Sequence, residues 1–178
     1  MVREGSGEFE PATLTWGAMQ TSNGYARPMA PALIRVASEA DWRIYHAIRR
    51  TVLWEERGLT GYDETRAEER LPDHHPLLLM FNGQGIGTTR LDDLRDSTGI
   101  IRLVAIAAAV RGRGHGRILN ARVEEHARGL GIGILFVNAA ADAEGFYAAT
   151  GWHRFEGDLP RMLGRDANCV PMRKEISR

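Results

Sequence analysis

The most informative stretch of this 178-residue chain is Arg111-Gly112-Arg113-Gly114-His115-Gly116-Arg117. It lies between an apolar run over 100–110 and a segment from Ile118 onward in which apolar residues recur at helical spacing. Glycine has no Cβ, so the chain here can adopt positive φ angles and let an anion approach its amides. Amides at the start of a helix also lie at the positive end of its dipole. The stretch therefore predicts a strand-to-helix turn that binds a phosphorylated ligand.

Three arginines add positive charge to this turn: Arg111, Arg113 and Arg117. A guanidinium group can bind two phosphate oxygens at once, so the arginines and the exposed amides together suit a polyphosphate. The turn is not a P-loop, because the closing Gly-Lys-Ser/Thr is missing. It also differs from the dinucleotide fingerprint, because its glycines follow the spacing Gly-x-Gly-x-Gly rather than Gly-x-Gly-x-x-Gly.

A second group of residues follows downstream. The segment Ile132–Asn138 has the composition of a short buried strand, and Ala139–Thr150 is predicted as a helix that ends at Gly151. Trp152–Phe155 is then predicted as another strand. Five residues of this region carry the pattern: Asn138, Phe146, Tyr147, Gly151 and Trp152.

Together the two groups resemble the GNAT superfamily of acyl-CoA-dependent N-acetyltransferases. The resemblance rests on Arg111-x-x-Gly114-x-Gly116 and on Asn138 followed by Phe146-Tyr147-x-x-x-Gly151-Trp152, and it covers Ala32 to Ile176. One departure is Ala108, because the family often has proline three residues before the motif arginine. The resemblance implies the α+β GNAT fold, with a mixed, mostly antiparallel central sheet that splays at the cofactor site and is flanked by helices.

The remaining sequence predicts the elements that complete this fold. A helix is predicted from Glu39 to about Arg57, because Ser38 can cap it and Asp41 lies in its first turn. The other predicted elements are a strand at Leu33–Val36, a helical turn between Asp63 and Leu71, a hairpin of Leu77–Phe81 and Ile86–Leu91, and a last strand at Asn168–Ile176. The order is β-α-(α)-β-β-β-α-β-α-β-β. Residues 1–31 are expected to be a flexible leader, which leaves 32–178 as a single N-acetyltransferase domain.

Composition argues against several functional classes. The chain has 23 basic and 23 acidic residues, so no general attraction to nucleic acid or to an anionic membrane is expected. Its single cysteine, Cys169, rules out an internal disulfide and fits a reducing compartment. The sequence has no long apolar run and no signal-peptide pattern, so a cytoplasmic protein is expected.

The resemblance implies acetyl-CoA as the cofactor and coenzyme A as the product. It assigns the amide of Val104 to the oxyanion that develops on the thioester, and Ile106 to the pantetheine arm. The cofactor-binding residues that it implies are Val104, Ala105, Ile106, Arg111, Gly112, Arg113, Gly114, His115, Gly116, Arg117, Asn138, Phe146 and Tyr147. The strand before the turn and the strand at Ile134–Asn138 would part in a V that receives the pantetheine arm.

Acyl transfer to an amine also needs proton transfer. An alkylamine with a pKa near 10.4 is neutral in only about one part in 10³ at pH 7, so a group or a water chain must take its proton. Glu55 and Glu56 are hypothesised to take part, although they could equally belong to a solvated face with Asp63 and Glu64. The phenol of Tyr147 is predicted to protonate the departing thiolate, unless it is a core tyrosine. Direct attack is favoured over a covalent enzyme intermediate.

Three other residues have reactive side chains, but we expect none of them to act as a nucleophile or a metal ligand. Cys169, on a predicted strand close to the end of the sequence, is expected to be a small buried residue rather than a nucleophile. His74 and His75 have no partner at metal-ligand spacing, so we expect solvated or gating side chains rather than zinc ligands. No metal site is predicted.

Several alternatives stay open at this point. The acceptor can be a small-molecule amine or a peptide amine, and the protein can be a monomer or a homodimer. A non-catalytic module that binds acyl-CoA would carry the same phosphate-binding turn. An RNA-binding protein could use the Arg/Gly segment, although the balanced charge argues against it.

Overall fold

The computed structural model describes residues 30–157 and 168–176. These residues form, in chain order, β1 (Ala32–Arg35), α1 (Glu39–Leu53), β2 (His74–Phe81), β3 (Gln84–Asp93), β4 (Thr98–Ile106), α2 (His115–Gly129), β5 (Ile134–Ala140), α3 (Glu144–Ala148), β6 (His153–Arg154) and β7 (Cys169–Glu175). Short 3₁₀ turns lie at Glu55–Arg57, Ala67–Arg70, Ala108–Val110 and Ala141–Ala143. The predicted leader falls almost entirely outside the described residues.

The strands form one sheet with the spatial order β1-β2-β3-β4-β5-β7-β6. Every neighbouring pair is antiparallel except β4 and β5, which are parallel. The parallel pairing extends only from Thr98↔Ile134 to Ile101↔Val137, although β4 continues to Ile106 and β5 to Ala140. The two strands therefore part in a V, which confirms the predicted α+β fold with a mixed, splayed sheet.

The sheet is buried on both faces because helices pack on each side. On β2, Leu77 and Leu79 belong to the core formed with Val123 of α2, whereas Leu78 packs with Trp42 of α1. Successive side chains of a strand point to opposite faces, so these three consecutive leucines supply both cores. Among the described residues, no helix has the length and apolar character of a membrane span.

Helix α1 begins as predicted and ends earlier. The Ser38 hydroxyl accepts a hydrogen bond from the Asp41 amide (3.1 Å), and the Asp41 carboxylate accepts one from the Ser38 amide (2.8 Å). This capping box satisfies two amides at the helix start. The α-helix stops at Leu53, because the chain tightens into the 3₁₀ turn and then leaves through Gly58 at φ +69°.

The prediction of a helix over Ala139–Thr150 was wrong in its first half. Strand β5 continues to Ala140, with Ala139 opposite Val170 and Ala140 opposite Cys169 on β7. Ladder pairing outweighs the high helix propensity of alanine there, so only the short α3 remains. The predicted hairpin is confirmed with longer strands, since the turn is only Asn82-Gly83, both at positive φ.

Candidate active site

The glycine-rich turn presents a row of uncovered amides. Gly112 and Gly114 have φ angles of +73° and +83°, and α2 begins at His115, earlier than the predicted Ile118. None of the amides of residues 112–117 donates to an acceptor within the described parts of the chain, and no side chain caps α2. A Cβ added at Gly112 or Gly114 would meet no protein atom within 4 Å. The turn therefore has open space above donors that lie at a helix N-terminus.

Glycine at position 116 serves a different purpose, which is close packing between helices. A Cβ at this position would lie 3.3 Å from the ring of Phe146. The glycine therefore lets the first turn of α2 pack closely against α3, which brings the two halves of the sequence pattern into contact. His115 also packs on an aromatic ring, with its centroid 5.6 Å from that of Phe81.

Gly114→Ala is expected to weaken coenzyme A binding. Alanine at φ +83° costs about 1–2 kcal/mol, so the turn would shift its amides or lose stability. Gly129→Ala is the matched control, because Gly129 ends the same helix without a positive φ and without neighbours near an added Cβ. Calorimetric titration of both variants with coenzyme A measures the effect; equal affinities would contradict this role of the turn.

Strand β4 carries a bulge beside the V. Thr88 pairs with Ala105 and Arg90 pairs with Arg102, so Leu103 and Val104 together lie opposite one residue of β3. Leu103 has φ +53°, a conformation that costs energy for a branched side chain. Bulges interrupt the ladder and redirect the main chain, and they occur often at active sites. The bulge coincides with Val104, whose amide is the predicted oxyanion donor.

A cavity of about 730 Å³ extends from the V to the end of α1. Three of the predicted site residues line it: Val104, Asn138 and Tyr147. Its wall also includes Arg49, Leu53, Trp54, Tyr62, Asp63, Glu69, Arg90, Asp92, Arg102 and Cys169. The V is one end of this space, so a cofactor bound in the V would leave the side toward α1 for an acceptor.

Tyr147 lies on α3 with 5% of its surface exposed. Its ring packs edge-on against Trp152, with 5.4 Å between centroids, and its hydroxyl has no hydrogen-bond partner within residues 30–157 and 168–176. Burial raises the pKa of Tyr147 above its ordinary value of 10.0. The phenol therefore keeps its proton at neutral pH, as a proton donor must.

The structure does not bring the two predicted glutamate bases into the cavity. Glu55 accepts a hydrogen bond from the Thr51 hydroxyl at 2.9 Å, and Glu56 forms a 2.6 Å ion pair with Arg111. Arg111 also donates to the carbonyl of Ile106 at 2.8 Å. The first arginine of the motif thus links the turn to β4 and to the end of α1. Neither glutamate lines the cavity, and their role as base stays a prediction.

A buried network of charges forms one wall of the cavity. Glu69 binds Arg49 (2.6 Å) and Arg90 (2.7 Å), and Asp92 binds Arg90 (2.6 Å) and Arg102 (2.5 Å). The sequence analysis missed this network. One signal was available, because Arg90 and Asp92 stand at alternate positions of a strand and must therefore share a face.

The structure contradicts two expectations about side-chain exposure. His74 and His75 are not solvated, because both are buried: His74 contacts the carbonyl of Glu68, and His75 lies 3.2 Å from His126. Cys169 is only partly buried and lines the cavity, because β7 runs beside the open end of β5. No group of three or more potential metal ligands occurs in the part of the chain that the structure describes.

Comparisons with solved structures agree with this architecture. A Lactobacillus plantarum protein assigned as an N-acetyltransferase has a TM-score of 0.70 and 27% identity, over 84% of this chain and 100% of that chain. The N-acetylglutamate synthase of Neisseria gonorrhoeae, complexed with coenzyme A and N-acetylglutamate, has a TM-score of 0.69 and 22% identity, over 86% of this chain and 37% of that chain. The ribosomal-protein-S18-alanine N-acetyltransferase of Escherichia coli has a TM-score of 0.65 and 16% identity, over 84% of this chain and 96% of that chain.

The last two structures show a shared fold only, because their identity to this chain is low. The sequence itself gives the assignment: a model of the acetyltransferase (GNAT) family matches residues 37–152, which include α1, the glycine-rich turn, the V and α3. The chain belongs to the GNAT family of acetyltransferases.

Proposed function

We propose that this protein transfers an acetyl group from acetyl-CoA to a primary amine by direct attack of the amine. The observation that carries the proposal is the row of uncovered amides over 112–117 at the start of α2, beside two strands that part. A diphosphate needs several donors at short range and a positive potential, and this turn supplies both. Membership of the GNAT family supports the same ligand.

The residues present fit coenzyme A. Amides of 112–117 would bind its diphosphate, with Arg113 and Arg117 adding charge. The inner edges of β4 and β5, from Val104 to Ile106 and at Asn138, would pair with the amides of the pantetheine arm, as an added peptide strand does. A GNAT relative of known structure, the N-acetylglutamate synthase of N. gonorrhoeae, was solved in complex with coenzyme A, which supports this fit.

When bound, acetyl-CoA supplies the acetyl group as a thioester, which is activated for attack by nitrogen. The amide of Val104 donates to the carbonyl oxygen as it gains negative charge, an interaction worth about 3 kcal/mol where it has been measured. The hydroxyl of Tyr147 donates its proton to the departing sulfur. Burial raises the pKa of Tyr147, so the phenol holds its proton until the sulfur gains negative charge.

A screen of amine acceptors tests the proposal. The purified chain is mixed with acetyl-CoA and with amino acids, small amines, aminoglycoside antibiotics or peptides with free N-termini, and released thiol is measured. We expect thiol release with at least one class of amine. Thermal stabilisation by coenzyme A without thiol release over the whole panel would instead indicate a non-catalytic acyl-CoA-binding module.

The hypothesis that Glu55 or Glu56 acts as base makes a separate prediction. If either carboxylate takes the amine proton, its carboxamide variant loses the ionisation that controls activity at low pH. The measurement is the pH dependence of kcat for Glu55→Gln and Glu56→Gln. An unchanged profile in both variants rejects the hypothesis, and a weaker affinity for coenzyme A in Glu56→Gln alone would assign that residue to the support of Arg111.

A further inference from the structure

A tyrosine and a histidine are joined at the acceptor end of the cavity. Tyr62 lies on the segment that follows α1 and lines the cavity together with Trp54 and Arg49. Its hydroxyl oxygen lies 2.7 Å from Nδ1 of His46, on α1. His46 is 7% exposed and does not itself line the cavity, so this hydroxyl is the contact that connects its imidazole to the cavity.

Aromatic packing fixes both rings. His46 stacks on Trp42 with 5.3 Å between centroids and 20° between planes. The ring of Tyr62 packs edge-on against Trp54 with 4.7 Å between centroids, and the guanidinium carbon of Arg50 lies 5.6 Å from the centroid of the same Tyr62 ring. Held rings keep a hydrogen bond aligned without further loss of side-chain entropy, which is a requirement of a proton relay.

Burial and the charges around His46 favour its neutral imidazole. Burial is the largest cause that lowers the pKa of His46 below 6.5, and Arg49 and Arg50 lower it further, against Glu64 and Glu69, which raise it. Both glutamates are already paired, Glu64 with Arg50 and Glu69 with Arg49 and Arg90. A neutral imidazole next to a phenol can accept a proton.

Two carboxylates that line the cavity, Glu69 and Asp63, are poorer acceptors. Burial would raise the pKa of Glu69, but the hydrogen bonds and charges of Arg49 and Arg90 outweigh it and hold the pKa below 4.5. Asp63 accepts hydrogen bonds from the amide and hydroxyl of Thr65, which lower its pKa below 3.8. Groups held in their charged form by such partners have little affinity for a proton at pH 7.

We propose, on the basis of the function proposed above, that Tyr62 and His46 form the proton relay that deprotonates the acceptor amine. The small neutral fraction of the amine attacks the thioester; as the C–N bond forms, the nitrogen becomes acidic, and its proton passes to the oxygen of Tyr62, directly or through one water. The hydroxyl proton of Tyr62 moves at the same time to Nδ1 of His46, which becomes imidazolium. The C–S bond breaks, and the sulfur receives the proton of Tyr147. His46 then returns its proton to solvent through Tyr62, and Tyr147 is reprotonated by solvent.

The free protein provides the first test, without cofactor or turnover. The relay requires neutral His46 to carry its proton on Nε2, so that Nδ1 is the acceptor. Nitrogen-15 NMR of the imidazoles, assigned with His46→Gln, should show this tautomer at pH 7 in the wild type and a mixture in Tyr62→Phe, which lacks the hydroxyl. An Nδ1–H tautomer or an imidazolium at pH 7 would overturn the proposal.

Kinetics on the whole chain provide the second test. Tyr62→Phe and His46→Gln should each lower kcat by about 10²-fold, and the double variant should fall no further than that, because the two residues act as one unit. Affinity for acetyl-CoA should stay unchanged. In the wild type, kcat should fall as pH decreases through the pKa of His46, and this acid limb should disappear in Tyr62→Phe. His153→Gln, a histidine change on the exposed β6, is the control.

The two levels of the proposal fail in different ways. A wild type that releases no thiol with any amine removes the acetyltransferase function and the relay with it. The relay alone is overturned if the wild type turns over and Tyr62→Phe keeps both the wild-type kcat and its decrease at low pH. Tyr62→Phe decides the matter even if His46→Gln does not fold, because its ring contacts with Trp54 remain.

Discussion

Tyr147→Phe is expected to lower kcat by about 10²-fold or more and to leave the Kd for acetyl-CoA nearly unchanged. The hydroxyl has no protein partner in the described structure, so its loss costs little binding or folding energy. In the proposed mechanism it is nevertheless the proton donor to the departing sulfur, which leaves poorly as a free thiolate. Because the interaction matters only as the C–S bond breaks, kcat and kcat/KM should fall together.

Tyr45→Phe is the matched control for this prediction. It removes the hydroxyl of another buried tyrosine, one that bonds to Arg49 and Glu69 and does not line the cavity. We expect that variant to lose stability and keep its turnover. A Tyr147→Phe protein with wild-type kcat would show that solvent protonates the sulfur, and the tyrosine would then be a core residue. Steady-state thiol release and calorimetric titration measure the two effects.

Glu69→Gln is expected to reduce the free energy of unfolding by about 3–5 kcal/mol. Glu69 is 4% exposed and accepts hydrogen bonds from Arg49, Arg90 and Tyr45. A carboxamide cannot balance two buried guanidinium groups, so the variant leaves positive charge uncompensated inside the cavity wall. Glu64→Gln is the matched control, because its pair with Arg50 is exposed on both sides and contributes about 0–1 kcal/mol.

The same residue makes stability depend on pH in a defined direction. The pKa of Glu69 in the folded protein lies below 4.5, so its contribution is fully present above the unfolded value and is lost as pH falls through the folded value. The difference in unfolding free energy between wild type and Glu69→Gln should therefore be constant at neutral pH and shrink below about pH 4.3. Urea unfolding at a series of pH values measures it. A difference that does not change with pH, or a loss no larger than that of Glu64→Gln, would contradict the ion-pair account.

The order of elements could be predicted from sequence because each element carries its own local signal. The cap at Ser38 and Asp41 marks the start of α1, and Asn82-Gly83 marks the hairpin. The limits of elements were less predictable where tertiary pairing decides them. Ala139 and Ala140 favour a helix locally, yet β7 holds them in the sheet, and no signal in their own sequence reports the neighbouring strand.

The same distinction between local signals and tertiary contacts explains which residues of the candidate site could be predicted. The glycine-rich turn and Tyr147 were visible in the sequence, because their spacing reflects main-chain geometry and contact between adjacent elements. The pairs Glu69–Arg90 and His46–Tyr62 join residues that are distant in sequence, so no local pattern announces them. Glu56 was predicted only as a possible base, and its ion pair with Arg111 became apparent only in three dimensions.

Binding of coenzyme A by the amides of 112–117 is the claim on which the rest depends. The most direct measurement is a titration of the nitrogen-15-labelled protein with coenzyme A, with calorimetry on the same sample. We expect measurable heat and large, saturable shifts of the amide resonances of Gly112, Gly114 and Gly116, with smaller shifts at the far end of α2. An absence of heat together with unmoved resonances in the turn would contradict it.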